Sequence, residues 1–181
     1  GNSGHVAERI AERVGDTAVS VEKYRGEAAP RIVIEEDECL GFIAPTYFWG
    51  LPAPALDFLE RAAFYVADGA YVFTATTFGT TAGQTTRLAA DLLGKQGVRT
   101  TAQFGVQMPD TWTPIFDLSD KQKVARINAA AEVQIDECAD MVRNRVAGNH
   151  VRREIPMIAS KVYYRLGAPV GQRLMCEEMP R

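Results

Sequence analysis

The sequence predicts an α/β fold, a doubly wound parallel sheet, on three observations. Helical and strand-like stretches alternate in the order helix, strand, strand, helix, strand, helix, strand, which indicates parallel strands with helices on both faces. The run Leu40 to Ala44 is short and apolar, the composition of a strand buried on both sides. A long apolar stripe after the last strand needs a sheet or another helix to lie against. Right-handed crossovers then restrict the topology.

The first helix carries Val6, Ala7, Ile10, Ala11 and Val14 on one face, and Gly15 stops it. Thr17 to Val21 alternates β-branched residues and is expected to be a short strand. Glu35, Glu36, Asp37 and Glu38 form a solvated acidic turn ahead of the Leu40 to Ala44 strand. A helix restarts at Leu51 to Ala55, with Pro54 suited to its first turn and Leu56, Leu59 and Ala63 as its buried stripe. Tyr71 to Thr76 is the next strand, followed by a polar, glycine-containing loop. Leu88, Leu92 and Leu93 face inward from the helix after it, Gly97 ends that helix, and Val98 to Val106 is the last strand. Beyond the loop MPDTWTP, Ser119-x-x-Gln122 has capping-box spacing. It introduces a helix whose positions Val124, Ile127, Ala131, Ile135, Cys138, Val142 and Val146 step by three and four residues. Residues 1–148 are expected to form one domain, and 149–181 a partly helical extension broken by its own prolines and glycines.

Composition excludes several functions. At 181 residues and 46% hydrophobic content, the chain can bury one sizeable core. A net charge of -3 and a pI near 5.5 give no footprint for nucleic acid. No unbroken apolar run is long enough to span a membrane. Cys39, Cys138 and Cys176 form no CxxC pair, so neither a disulfide framework nor a zinc site is indicated, and a reducing, cytoplasmic setting fits. His5 and His150 lie far apart and no GxSxG elbow is present, which disfavours a hydrolase. The strand ends offer threonines and aromatics where a phosphoacceptor would need clustered carboxylates for Mg²⁺.

In an open α/β sheet, ligands bind beyond the carboxyl ends of the strands, and three segments belong there. Gly1, Asn2 and Ser3 present backbone N–H groups and a hydroxyl at a helix N-terminus, an arrangement that favours a phosphate. The plainer reading is that Ser3 caps the helix. His5 lies one turn further in, within reach of such a phosphate. In PTYFWGLP, Pro45 and Thr46 lead into Tyr47, Phe48 and Trp49, on which a flat heteroaromatic ring could stack, and Gly50 allows close backbone approach. The same rings could simply cover the edge of the core. In the loop TTFGTTAG, the hydroxyls and amides of Thr76, Thr77, Thr80, Thr81, Gly79 and Gly83, with Phe78 between, suit the rim of a ring system or make an ordinary strand-to-helix turn. As a set the three loops fit one ligand with a phosphate at one end and a flat ring at the other, the shape of flavin mononucleotide (FMN).

At these residues the chain resembles the flavodoxin-like superfamily, in particular bacterial and archaeal flavodoxin domains often joined to a C-terminal ferredoxin domain. GNS-x-HVAERIAE, GFIAPTYFWGLP, TTFGTTAG and MPDTWTP carry the resemblance, and the long helix with KVYYRLGAP extends it over nearly the whole chain. The resemblance implies strand order 2-1-3-4-5, an FMN phosphate at Gly1, Asn2 and Ser3, and an isoalloxazine between Tyr47–Gly50 and Thr77–Gly83. It also implies that Gly50 or a neighbour tunes the flavin at N5, and that Pro109, Asp110 and Trp112 cover the site. In the family, GNS ends a loop that follows a central first strand. That strand is missing here, so about a dozen further residues are expected ahead of Gly1 to supply it. Cys176 stands without a CxxCxxC run, so any ferredoxin partner domain is absent from this chain. The implied function is an FMN-binding electron carrier with a redox partner protein. An FMN-dependent reductase of a small acceptor such as a quinone, and a flavin-free interaction module, are the alternatives.

Overall fold

The structure is a computed structural model and describes residues 1–110 and 118–156. Helix α1 (Asn2–Val14) buries Val6 and Ile10, and Gly15 closes it in the left-handed conformation at φ 79°. The strand expected at Thr17 to Val21 does not form. Residues 16–20 run without regular structure into a short 3-10 turn, Val21–Tyr24, capped by the Ser20 hydroxyl. Its alternation is strand-like, but it pairs with none of the described strands.

The strands are β1 (Arg31–Ile34), β2 (Cys39–Pro45), β3 (Ala63–Val66), β4 (Tyr71–Phe78), β5 (Ala102–Gln107) and the two-residue β6 (Gly148–Asn149). They form a four-stranded sheet in the order β2-β4-β5-β6 and a separate pair, β1-β3, and every pairing is parallel. The run β2-β4-β5 has the spatial order expected of the last three strands of a 2-1-3-4-5 sheet, and helices pack on both of its faces. Neither β1 nor β3 was expected, because four-residue runs carry little periodic signal. Alanine 63, expected in the stripe of a helix, instead opens β3.

Helix α2 (Ala53–Arg61) begins after Pro52 with Pro54 in its first turn, and it buries Ala55, Phe58 and Leu59 while Leu56 stays 38% exposed. Helix α3 (Thr85–Lys95) buries Ala89 and Leu93, with Leu88 and Leu92 packed at the margin. β4 runs two residues further than expected, to Phe78, whereas β5 starts only at Ala102. Helix α4 (Lys121–Arg143) is capped by Asp120, whose carboxylate accepts the Lys123 N–H at 2.9 Å, so the cap falls one residue after Ser119. Its stripe is buried at Ala131, Ile135, Cys138 and Val142, while Val146 lies beyond the helix and is exposed.

Two apolar clusters sandwich the main sheet. Helices α1 and α4 cover Tyr71, Phe73, Ala75 and Phe104 on one face. Helices α2 and α3, with β1 and β3, cover Phe42, Ala44 and Val72 on the other. Between α1 and α4 the contacts are also ionic: His5 meets Glu132 at 2.6 Å and Arg13 meets Asp136 at 2.5 Å. The hydrogen bond from His5 holds the Glu132 carboxyl below the usual range.

Inside the first cluster, burial pushes the Tyr71 phenol and the Cys138 thiol each up to about 12. The Tyr71 hydroxyl also donates to the Val146 carbonyl at 2.7 Å, a bond its ionisation would remove. The unfolded chain releases these two protons near pH 9 to 10, so above that range it binds fewer protons than the native state and stability falls. Urea unfolding midpoints should therefore decline steadily between about pH 9 and 12. Cys138→Ala should make the decline shallower, at a loss of about 1 kcal/mol near neutrality.

Candidate functional site

The carboxyl ends of β2, β4 and β5 gather the three sequence segments into one region. The start of α1 stands over β4 and β5: the Asn2 amide donates to the Pro109 carbonyl at 3.0 Å, and the Ser3 hydroxyl meets the Thr77 hydroxyl at 2.7 Å. Ser3 therefore bonds the sheet and does not cap the helix, whose N-cap is Gly1, with no side-chain cap. The N–H groups of the first turn thus have no side-chain cap, at the positive end of the helix dipole.

Pro45 ends β2, and Thr46 follows with its N–H bonded to the Thr77 carbonyl at 2.8 Å. The chain then reverses in a two-residue turn. Tyr47 and Gly50 exchange both backbone hydrogen bonds, at 2.9 and 3.0 Å, and Phe48 and Trp49 between them take positive φ of 48° and 65°. That is the geometry of a type I′ turn, where Asn and Gly are usual and bulky residues are strained. Tyr47 is 49% exposed, and Phe48 and Trp49 are half-buried. Since Tyr47 takes up both the N–H and the C=O of Gly50, that residue's polar groups serve the turn itself.

The third loop is bound to the second. Gln84 N–H donates to the Trp49 carbonyl at 2.8 Å, and a Cβ on Gly83, at φ 57°, would strike the Trp49 backbone. A Cβ on Gly79 would strike the Asp110 side chain, and the Gly79 carbonyl accepts from Gln107 at 2.8 Å. Thr77 and Phe78 are strand residues. Thr77 faces α1, whereas Phe78 is turned by strand alternation to the opposite face, next to Gly105. Thr80 is exposed at the loop tip. Pro109 and Asp110 border the region as expected, while Trp112 and the stretches around KVYYRLGAP and Cys176 lie outside the described residues.

Thr46, Thr76 and Thr81 were expected on the ligand loops, but their role in fastening those loops to one another was not. The Thr46 hydroxyl lies 2.8 Å from that of Thr76, 2.9 Å from that of Thr85 and 3.0 Å from the Ala82 carbonyl. One side chain thus joins the ends of β2 and β4 to the start of α3. Residues after β6 join as well: the Arg153 carbonyl accepts from Ala82 N–H and from the Thr81 hydroxyl, and the Ile155 carbonyl accepts from the Gln84 amide. His150 stacks on Phe104, with ring centroids 5.4 Å apart. The one legible signal was the threonine at every second position of a buried strand, Thr74 and Thr76. Replacing Thr46 by Val keeps the shape and leaves its partners without a bond, so it should lower stability by about 1–3 kcal/mol. Urea unfolding checks this, hydrogen exchange should accelerate across Ala82–Thr86, and Thr46→Ser should recover most of the loss.

This geometry fits a ligand such as FMN at the level the residues can test. It offers a helix N-terminus without a side-chain cap, an exposed Tyr47 in the loop after β2, and two glycines packed so closely that a Cβ would strike the Asp110 side chain in one case and the Trp49 backbone in the other. Among the described residues, no group of three metal-ligating side chains occurs, and no helix is long and apolar enough to cross a membrane. A sequence profile described as a flavodoxin domain matches residues 1–137. No curated protein matches. Among solved structures, the chain is similar to rubredoxin oxygen:oxidoreductase (ROO) from the anaerobe Desulfovibrio gigas, at 14% identity and a TM-score of 0.36. The match covers 81% of this chain and 34% of that one, and a similarity of that size carries no functional argument.

Proposed function

The chain belongs to the flavodoxin domain family, and from that premise we propose that it is an FMN-binding redox module carrying electrons between a reductase and an acceptor protein. Family membership supports a flavin-type redox role. The observation that carries the finer reading is the convergence of an uncapped helix N-terminus with two loops bonded to each other through Trp49. FMN supplies the electron chemistry when bound. Asn2 and Ser3 fix the first turn of α1 against the sheet, so its N–H groups and dipole meet a phosphate without any lysine or arginine. Tyr47 offers a ring for stacking, and Gly83 lets the third loop pack against the Trp49 backbone, which holds the two loops together. The redox partner is a protein, with a ferredoxin domain the first to try.

Titration with FMN tests the reading, with flavin fluorescence quenching as the readout. Tyr47→Ala should weaken binding about tenfold through lost stacking. Its stability should stay within about 0.5 kcal/mol of the parent, because the ring is half exposed. Fluorescence unchanged by the protein would sink the FMN reading. Fast reduction of the bound flavin by NAD(P)H alone would assign the reductase alternative instead of the carrier.

A further inference from the structure

The third loop of the site is held from two sides. The Trp49 carbonyl takes the Gln84 N–H on one, and a strap after β6, residues 151–155, is bonded along the other. The Ala82 N–H donates to the Arg153 carbonyl at 3.2 Å, and the Thr81 hydroxyl donates to the same oxygen at 2.7 Å. So oriented, the Thr81 oxygen accepts the Gly83 N–H at 3.2 Å. The Ile155 N–H reaches the Gly83 carbonyl at 3.4 Å, and the Gln84 side-chain amide donates to the Ile155 carbonyl. Of the three backbone N–H groups from Ala82 to Gln84, two thus depend on the Arg153 carbonyl, one directly and one through Thr81. Ala82 is buried, so its N–H relies on the strap and not on water.

The strap is itself tied down. Val151 N–H bonds the Asn149 side-chain oxygen at 2.9 Å, and the Glu154 carboxylate takes the Asn149 amide at 3.0 Å and Arg87 of α3 at 3.5 Å. Gly105 makes room for it, since a Cβ there would lie 3.1 Å from the Val151 side chain. Arg153 turns the chain at φ 60°, a left-handed conformation that residues with a Cβ seldom take. Its side chain is exposed, and its carbonyl makes both bonds to the loop.

We propose, resting on the flavin reading, that residues 151–155 are a positioning element of the site, in which left-handed Arg153 sets the third loop for the ring end of the ligand. The strap lies beyond residue 137, where the match to the flavodoxin domain ends, so the site draws on more of the chain than that profile spans. Its effect is preorganisation. A loop whose amides are already fixed need not be ordered when a ring binds, and ordering a loop costs affinity. Affinity falls in proportion to the fraction of molecules that have the loop in place. Among the described residues, the strap's bonds to the site fall on residues 81–84, so it acts at the ring end and leaves the start of α1 unchanged.

Two substitutions at Arg153 separate its backbone conformation from its side chain. Both remove the guanidinium, but valine, branched at Cβ, resists a left-handed φ and glycine accepts it. Hydrogen exchange of the Ala82 amide reads the strap directly, and quenching of FMN fluorescence reads the site. In Arg153→Val the Ala82 amide should exchange at least about tenfold faster, and FMN should bind about tenfold more weakly. Arg153→Gly should hold both within about twofold of the parent. An Ala82 amide as well protected in Arg153→Val as in the parent overturns the proposal. So does an FMN affinity that stays put while that amide is released. Equal losses in the two variants overturn it too, and assign the effect to the guanidinium. A parent protein that leaves FMN fluorescence unchanged overturns the flavin reading and this proposal with it, whereas the preceding outcomes, seen with a parent that binds, overturn this proposal alone.

Discussion

The backbone ladder on both edges of β4 is the constraint on which the rest depends. All eight residues of β4 are buried, and the strand is paired to β2 over seven positions and to β5 over six. A strand so enclosed has no freedom to slip, because a one-residue shift would exchange its two faces. Each loop of the candidate site is fixed relative to its carboxyl end. Ser3 meets Thr77 on one face, Thr46 meets Thr76 on the other, and Met108 N–H bonds the Phe78 carbonyl at 2.9 Å. The region is therefore rigid at its base even where its rings are exposed.

Threonines inside that strand look like a defect in a core. A buried hydroxyl without a partner costs about 1–3 kcal/mol, and aliphatic side chains of the same size would avoid the risk. Here every one is bonded. Thr74 donates to the Thr86 carbonyl at 3.1 Å, Thr76 donates to the Ala44 carbonyl at 2.9 Å, and Thr77 meets Ser3. Their partners are the ends of other elements, so the hydroxyls give the sheet end a defined shape that apolar contacts would leave looser.

Elements with a long period were legible in the sequence. The stripes of α1 and α4, and the apolar run within β2, lie close to where the pattern put them. Short elements were not. Arg31–Ile34 and Ala63–Val66 span four residues each, too few for a two-residue period to stand out, and their pairing with each other is a tertiary fact. Thr17–Val21 failed for the opposite reason: its local pattern is correct for a strand, but a strand exists only with a neighbour. Of the site, the three segments were readable because glycine, serine and clustered aromatics are unusual at strand ends. The Thr46 network was hidden, since no spacing rule connects residues 46, 76, 82 and 85.

The turn at Tyr47–Gly50 shows how strain is held in place. Two left-handed aromatic residues carry on the order of 1 kcal/mol or more each of backbone strain, and an Asn-Gly pair would make the same turn with far less. The Phe48 and Trp49 rings are half-buried, and Tyr47 is half exposed. The strain is held by the paired Tyr47–Gly50 bonds and by Gln84 N–H on the Trp49 carbonyl. Gly83 must stay a glycine for that last bond to form. Two loops are thus fitted to each other so that aromatic side chains stand where the backbone resists them, beside a helix N-terminus that no side chain caps.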